Sequence, residues 1–391
     1  MLFDYTTLQV IWWVLIIAVL VLYATTSGCD SGVTIMMPFL SKHKNFNEND
    51  DERRLALNTI APTWDGNQTW LVIAGGALFG IWPAVYGTIF SGLYPALLLV
   101  LFTLFLRPPG FDYRSKIDSD KWRKFWDWGL FISSFFPMLV FGLVLGSLFI
   151  GLPFYHDDFM MRSEYQQSAF LSVISPFSIL VAVLVIIMSL MHGSFHLNRR
   201  LTGELKRRFS KLAYLFSVLA LILITIGLVA LIYWLPGMNI SATPKTLSYH
   251  TDVVIQMGGW MQNYTLHPWM WIAPVLTYAG IVLAMLFQRV SGTFAYWCSA
   301  ISISALLCSG AFALFPFIVP SSLHIAGGIG TQSLTIWNAS SAPYSLMGMF
   351  YITIVMFIII IAYKFWAFNA AWRGKSAIGK QDLDENKHTF Y

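Results

Sequence analysis

Charge is scarce in this chain. Asp, Glu, Lys and Arg make up 11% of its 391 residues, against roughly 25% in an ordinary soluble domain. That scarcity excludes a charged globular surface, and 57% apolar residues with a mean hydropathy of +0.64 point to an integral membrane protein. Cysteine is scarcer still: Cys29, Cys298 and Cys308 form no CxxC or metal-ligand spacing, so they read as small apolar core residues and say nothing of a redox compartment. MLFDYTTLQV, ahead of the first apolar run, has no Lys or Arg, and Thr26 stands where a lipoprotein box needs an aliphatic residue. The first run is therefore read as a membrane span and not a signal peptide. No gap between apolar runs is long enough for a separate soluble core, and no short repeat, nucleophile triad, phosphate loop or haem-ligand set is visible.

What the chain does have is a series of apolar runs. At about 20 residues per crossing they predict one all-α polytopic domain over 1–391. Its nine spans fall near 8–25, 56–81, 83–106, 125–150, 166–191, 209–234, 268–288, 295–320 and 342–368. Lys and Arg are retained on the cytoplasmic side, which gives an independent check. With the N-terminus outside and the C-terminus inside, only Arg162 and Lys245 of the 24 basic residues fall outside. Without the second span every later loop would change sides. The net charge of +5 thus reflects topology, and gives no reason to invoke nucleic acid.

That second span carries TWDGNQTW, and an unpaired polar group in hydrocarbon costs several kcal/mol on most estimates. Asp65 lies roughly 15 Å beyond the loop that ends near Arg54, at 1.5 Å per residue. A carboxylate at that depth is paired, protonated or lining a wet path, and the last two are how proton relays are built. Trp64, Asn67 and Gln68 are the polar residues that support it. Asp30, at the end of the first span, is expected near the inner interface, meeting water or capping a helix end. In RPPGFDYRSKIDSDKWRKFWDWG, the aromatics read as an interfacial belt, whereas Asp112, Lys116 and Asp127 have the charges to gather protons for a deeper acid. His192 and His196 share a helix face at i, i+4, a ligand-like spacing that also suits ordinary histidines at a span end.

WDGNQTWLVIAGGALFGIWP, RPPGFDYRSKI followed by KWRKFWDWG, FPFIVPSS at Phe315 to Ser322, and the terminal NKHTFY make the chain resemble subunit II of the cytochrome bd family of quinol oxidases, from Ile11 to Tyr391. A cyanide-insensitive branch of that family has the same signature. The resemblance implies two four-helix bundles plus a peripheral helix, in a complex that oxidises quinol and reduces dioxygen to water. It implies no haem in this chain. Haem b and haem d belong to a partner, subunit I, with quinone, membrane lipid and small single-span accessory subunits as further associates. The resemblance also implies a proton path entering through Lys116, Asp127 and Asp112 and continuing through Asp65, with Asp30 nearby. Where relatives often read DGFD, this chain reads SGCD, so Ser27 replaces an acid and Asp30 stands alone.

Without that resemblance, one intramembrane acid in a polytopic chain would suggest a proton-coupled transporter. Transporters usually carry paired broken helices in two repeats, and no second TWDGNQTW-like break is present. A purely structural partner, with its acid paired to another subunit, is the third reading.

Overall fold

The structure, a computed structural model, describes residues 3–40, 46–157, 162–166, 168–240, 251–323, 330–372 and 377–385. Lys42, Lys44, Lys245, Arg373, Lys375 and Lys387 of the charge sorting, and the terminal NKHTFY, lie outside these. Helices α1 (Tyr5–Met36), α2 (Phe46–Asn58), α3 (Trp64–Ile81), α4 (Pro83–Gly92), α5 (Tyr94–Leu104), α6 (Arg107–Tyr113) and α7 (Asp120–Leu148) make up the first part. A hairpin of β1 (Phe154–Asp157) and β2 (Arg162–Tyr165) and the short α8 (Ala169–Ser172) lead to α9 (Pro176–Arg200) and α10 (Gly203–Tyr233). Beyond β3 (Pro236–Ile240) and its antiparallel partner β4 (Thr251–Met257) come α11 (Gln262–Leu266), α12 (Ile272–Phe287) and α13 (Gly292–Leu314). The chain closes with β5 (Phe317–Val319), β6 (Gly330–Thr331), β7 (Leu334–Thr335), α14 (Pro343–Ala371) and α15 (Lys380–Glu385).

By length and composition, 8 of the helices are able to cross a membrane, and α3 is not among them because its first turn is polar. Its path is nonetheless clear. At one end Ser27 and Asp30 of α1 meet Gln68 and Asn67 of α3. At the other, Ile81 shares an apolar cluster with Leu8 and Trp12, and its carbonyl accepts from the Ser341 amide. So α3 runs antiparallel to α1 for about 27 Å, 18 residues at 1.5 Å each. The chain then returns along α4 and α5, bringing Arg107 back to the level of Gln68. The predicted 83–106 span is therefore a broken helix. The Cβ of any residue at 92 would lie 2.0 Å from the Tyr165 ring, so only glycine fits where the β hairpin seats against α4, and Pro95 restarts the helix. The predicted 56–81 span starts eight residues late, because the preceding residues form α2 and a tight turn through Pro62.

Packing divides the helices as the resemblance implied. α1, α3, α4–α5 and α7 pair among themselves, as do α9, α10, α12 and α13, and α1 and α7 lie along α9 at the seam. Small residues set that seam: a Cβ on Gly32 would come within 1.9 Å of the Ser189 carbonyl oxygen, and one on Gly142 within 2.3 Å of the Ala182 Cα. In lipid, where apolar surface gives helices little reason to associate, such backbone approach supplies the packing. α14 is peripheral, touching α1 and α3 and burying only Leu346 and Met347. The short strands gather at the end bearing Leu8 and Ile81. The opposite end carries α2, α6 and the basic residues.

Candidate functional site

One face of α1 near the basic end is polar, with Ser27, Asp30, Ser31 and Thr34 recurring at helical spacing. It faces the first turn of α3. The Asp30 carboxylate is 3% exposed and accepts from Asn67 Nδ2 at 2.8 Å. Asn67 Oδ1 in turn accepts from Lys364 Nζ, reaching across from α14, at 3.3 Å. Beside them Gln68 Oε1 accepts from Ser27 Oγ at 3.1 Å and from Arg107 Nη1 at 2.8 Å. Arg107, 2% exposed, also donates through Nη2 to Ser31 Oγ (3.1 Å) and Ser134 Oγ (2.7 Å), and Ser134 meets Thr34. Buried charges are ordinarily paired with charges, because desolvation costs several kcal/mol per ion on general estimates. Here a guanidinium is solvated by neutral oxygens, and its Nε and the Gln68 Nε2 find no acceptor among the described residues.

The structure exchanges the two acids. Asp65, expected to be buried, is exposed on the outer face of α3. Helix geometry explains this: residues two apart differ by about 200° around the axis, so Asp65 and Asn67 face opposite ways. Lys364 ties the two faces together. Its Nζ lies 3.0 Å from where a Cβ on Gly66 would stand, and it feels the charge of both Asp30 and Asp65. Asp30, expected at the water interface, is the acid enclosed by protein. Trp64 is half-buried and stacks on Phe111 at 4.6 Å, fixing the start of α3 against α6.

Of the three residues expected at the entrance, Asp112 and Lys116 are exposed. Asp127 is not at the surface. It is 1% exposed and held by Arg114 Nε at 2.6 Å and Arg53 Nη1 at 3.0 Å. The lattice continues through Arg114 Nη2 to Asp50 (2.9 Å) and from Arg123 Nη1 to Asp50 (2.8 Å). Burial works against the Arg114 charge, but Asp127 and Asp50 outweigh it and hold the guanidinium above its ordinary value. The physical cause of the misplacement is α2, a polar helix that folds over the start of α7 and that the sequence presented as a loop.

Arg107, Lys364, Arg53, Arg114 and Asp50 were missed as site residues because each basic one satisfied the topology count at a span end. His192 is buried with Nδ1 2.7 Å from Ser299 Oγ and Nε2 3.0 Å from the Thr25 carbonyl, its ring stacked on Tyr296 at 4.7 Å. His196 Nε2 lies 3.3 Å from the Thr59 carbonyl. Neither stands in a group of three potential metal ligands among the described residues. Cys29 and Cys298 are buried, as small core residues would be.

A family model described as "Cytochrome bd terminal oxidase subunit II" matches residues 8–371. Over 99% of its length the chain is 36% identical to the "Cytochrome bd-I ubiquinol oxidase subunit 2" of Escherichia coli K12, covering 100% of that protein. The "Cytochrome bd ubiquinol oxidase subunit 2" of Bacillus subtilis 168 is 28% identical, with 93% of this chain and 95% of the relative covered. Among solved structures, the bd oxidase from Geobacillus thermodenitrificans superposes with a TM-score of 0.67 at 11% identity, over 95% of this chain and 98% of that one, a likeness of fold.

Proposed function

Since the chain belongs to the cytochrome bd terminal oxidase subunit II family, we propose that it supports a haem-bearing subunit I and supplies that subunit with protons drawn from the cytoplasm. The complex is an oxidoreductase that oxidises quinol, as the relatives' names state for ubiquinol, and reduces dioxygen to water. Membership in this family sets aside the transporter reading. Haem b and haem d are assigned to subunit I, because the pair at ligand-like spacing is otherwise engaged: both ring nitrogens of His192 have partners, and His196 Nε2 faces the Thr59 carbonyl. The chain crosses the membrane nine times, with α3 as the second crossing and α4–α5 together as the third. Its N-terminus is outside and its C-terminus inside. The sparsely buried α14 meets lipid or small single-span subunits, and quinone sits with the complex.

Protons are collected at exposed Asp112 and Lys116 and pass along the outer face of α3 through Asp65 towards subunit I. Asp127 holds the entrance loop in shape, since two guanidiniums bind its carboxylate. The observation that carries this reading is an acid exposed on the first turn of α3, a helix we read as the second membrane crossing, where lipid would not tolerate it. A partner subunit or a water file must meet it. Asp65→Asn in the assembled complex should leave the haem spectra unchanged while slowing oxygen consumption at least about tenfold and weakening charge separation. Wild-type turnover in an assembled variant would make Asp65 structural; loss of the haems would favour the purely structural partner.

A further inference from the structure

We propose that Lys364 is a counter-ion shared by two carboxylates, exposed Asp65 and enclosed Asp30, so that a proton arriving at one changes the charge balance of the other. This inference rests on the relay reading of Asp65 and assigns a positioning role to a residue on a different helix. The geometry is specific. The ammonium of α14 leans over the first turn of α3, where its Nζ meets the Asn67 Oδ1 at 3.3 Å and crowds Gly66. Asn67 has its donor side on Asp30 at 2.8 Å, so the amide fixes the ammonium on one flank and the carboxylate on the other. Lys364 forms no direct ion pair with either carboxylate among the described residues; it stands between them, against Gly66 beside Asp65 and one amide away from Asp30, within electrostatic reach of both.

One ammonium cannot fully compensate two carboxylates. When Asp65 takes up a proton, Lys364 is left to Asn67 and Asp30; when Asp65 loses it, the ammonium is drawn outward along its flexible four-carbon stem. Asn67 carries no proton itself and keeps the ammonium within reach of both. Arg107, Tyr23, Cys29 and Tyr296 also lie within electrostatic reach of Asp30, whereas Lys364 stands against the turn that bears Asp65. Lys364 is thus the charged group common to both acids. Its helix is suited to such a role because α14 packs mainly on α1 and α3 and buries few of its side chains. Asp30 is the one carboxylate of α1, and so the acid there to answer Lys364.

The test uses the purified complex with its haem-bearing partner. Lys364→Met keeps the length of the side chain and removes its charge, and it should slow oxygen consumption by about tenfold, in the usual range for coupling between sites. Lys364→Arg should recover most of that loss, which a packing role would not predict. In redox-difference infrared spectra, the carboxyl signals assigned through Asp30→Asn and Asp65→Asn should both move in Lys364→Met. The double variant Lys364→Met with Asp65→Asn should be no slower than the slower single one. Additive losses, or carboxyl signals that stay in place in Lys364→Met, would overturn the proposal. If Lys364→Met fails to retain haem, Asn67→Leu takes its place, because it keeps the ammonium and cuts its link to Asp30. The outcome also separates the two readings: Asp65→Asn with wild-type turnover removes the relay, whereas the coupling stands only if that same variant still shifts the Asp30 signal.

Discussion

Two polar clusters near the basic end of this chain are built from the same side chains and behave differently. Around Asp127 and Asp50 every carboxylate is gripped by two guanidiniums, Arg53 and Arg114 for the first, Arg114 and Arg123 for the second. Around Asp30 the contacts are neutral: an amide binds the carboxylate, and an amide and hydroxyls bind Arg107. The lattice is fixed by direct ion pairs, and removing either acid would strand buried cations. The network around Asp30 holds its charges apart by one neutral group and leaves two polar atoms without partners among the described residues. Full ionic pairing makes a hinge pin; incomplete pairing makes a site.

The largest expected effect tests the first half of that contrast. Asp127→Ala leaves Arg53 and Arg114 without a shared anion, a loss worth about 3–5 kcal/mol for buried pairs. Thermal unfolding of the complex should move far down, or subunit I should fail to hold this chain. A variant as stable as wild type would show the lattice to be surface decoration. Arg107→Met should cost less, about 1–3 kcal/mol, because it strands neutral acceptors only. Its expected signature is a change in turnover larger than the change in melting temperature; equal and large losses in both would erase the distinction between the clusters. The smallest effect is at the opposite end of α1, where Asp4 caps the helix by accepting from the Thr7 amide and from the Thr6 and Thr7 hydroxyls. Those bonds, led by the one from Thr6, lower its carboxyl from 3.8 to about 2. A depressed folded value means the cap helps at neutral pH and is lost only as pH falls from near 3.8 through about 2. Amide protection in the first turn of α1, corrected for the intrinsic pH dependence of exchange, should fall as pH drops through that window and stay flat above it.

Much of this was legible in the sequence, for identifiable reasons. Apolar runs and basic loops mark the long helices, because hydrocarbon thickness and charge retention act on the chain directly. That TWDGNQTW belongs to a helix running back along the first span was also legible. Which face each polar residue takes was not, since facing depends on what lies beside α3, and that is set by α1, α6 and α14, far away in sequence. Hence Asp65 was read as enclosed and Asp30 as wet, the reverse of their placement. Asp127 was misread for a related cause: FNENDDERRLALN has no apolar period strong enough to announce a helix, yet as α2 it covers α7 with Arg53 and Asp50. Lys364 looked like one more interfacial anchor.

The thin packing of α14 bears on how the protein is made. Helices leave the ribosome in order, and α14 follows every other long apolar helix of the chain. Until it inserts, Asn67 and Asp30 have no ammonium beside them, while the α1–α9 crossing at Gly32 and the Asp127 lattice are complete without it. The scaffold is therefore finished before the site is, and the acid on α3 acquires its counter-ion as a last step of biosynthesis.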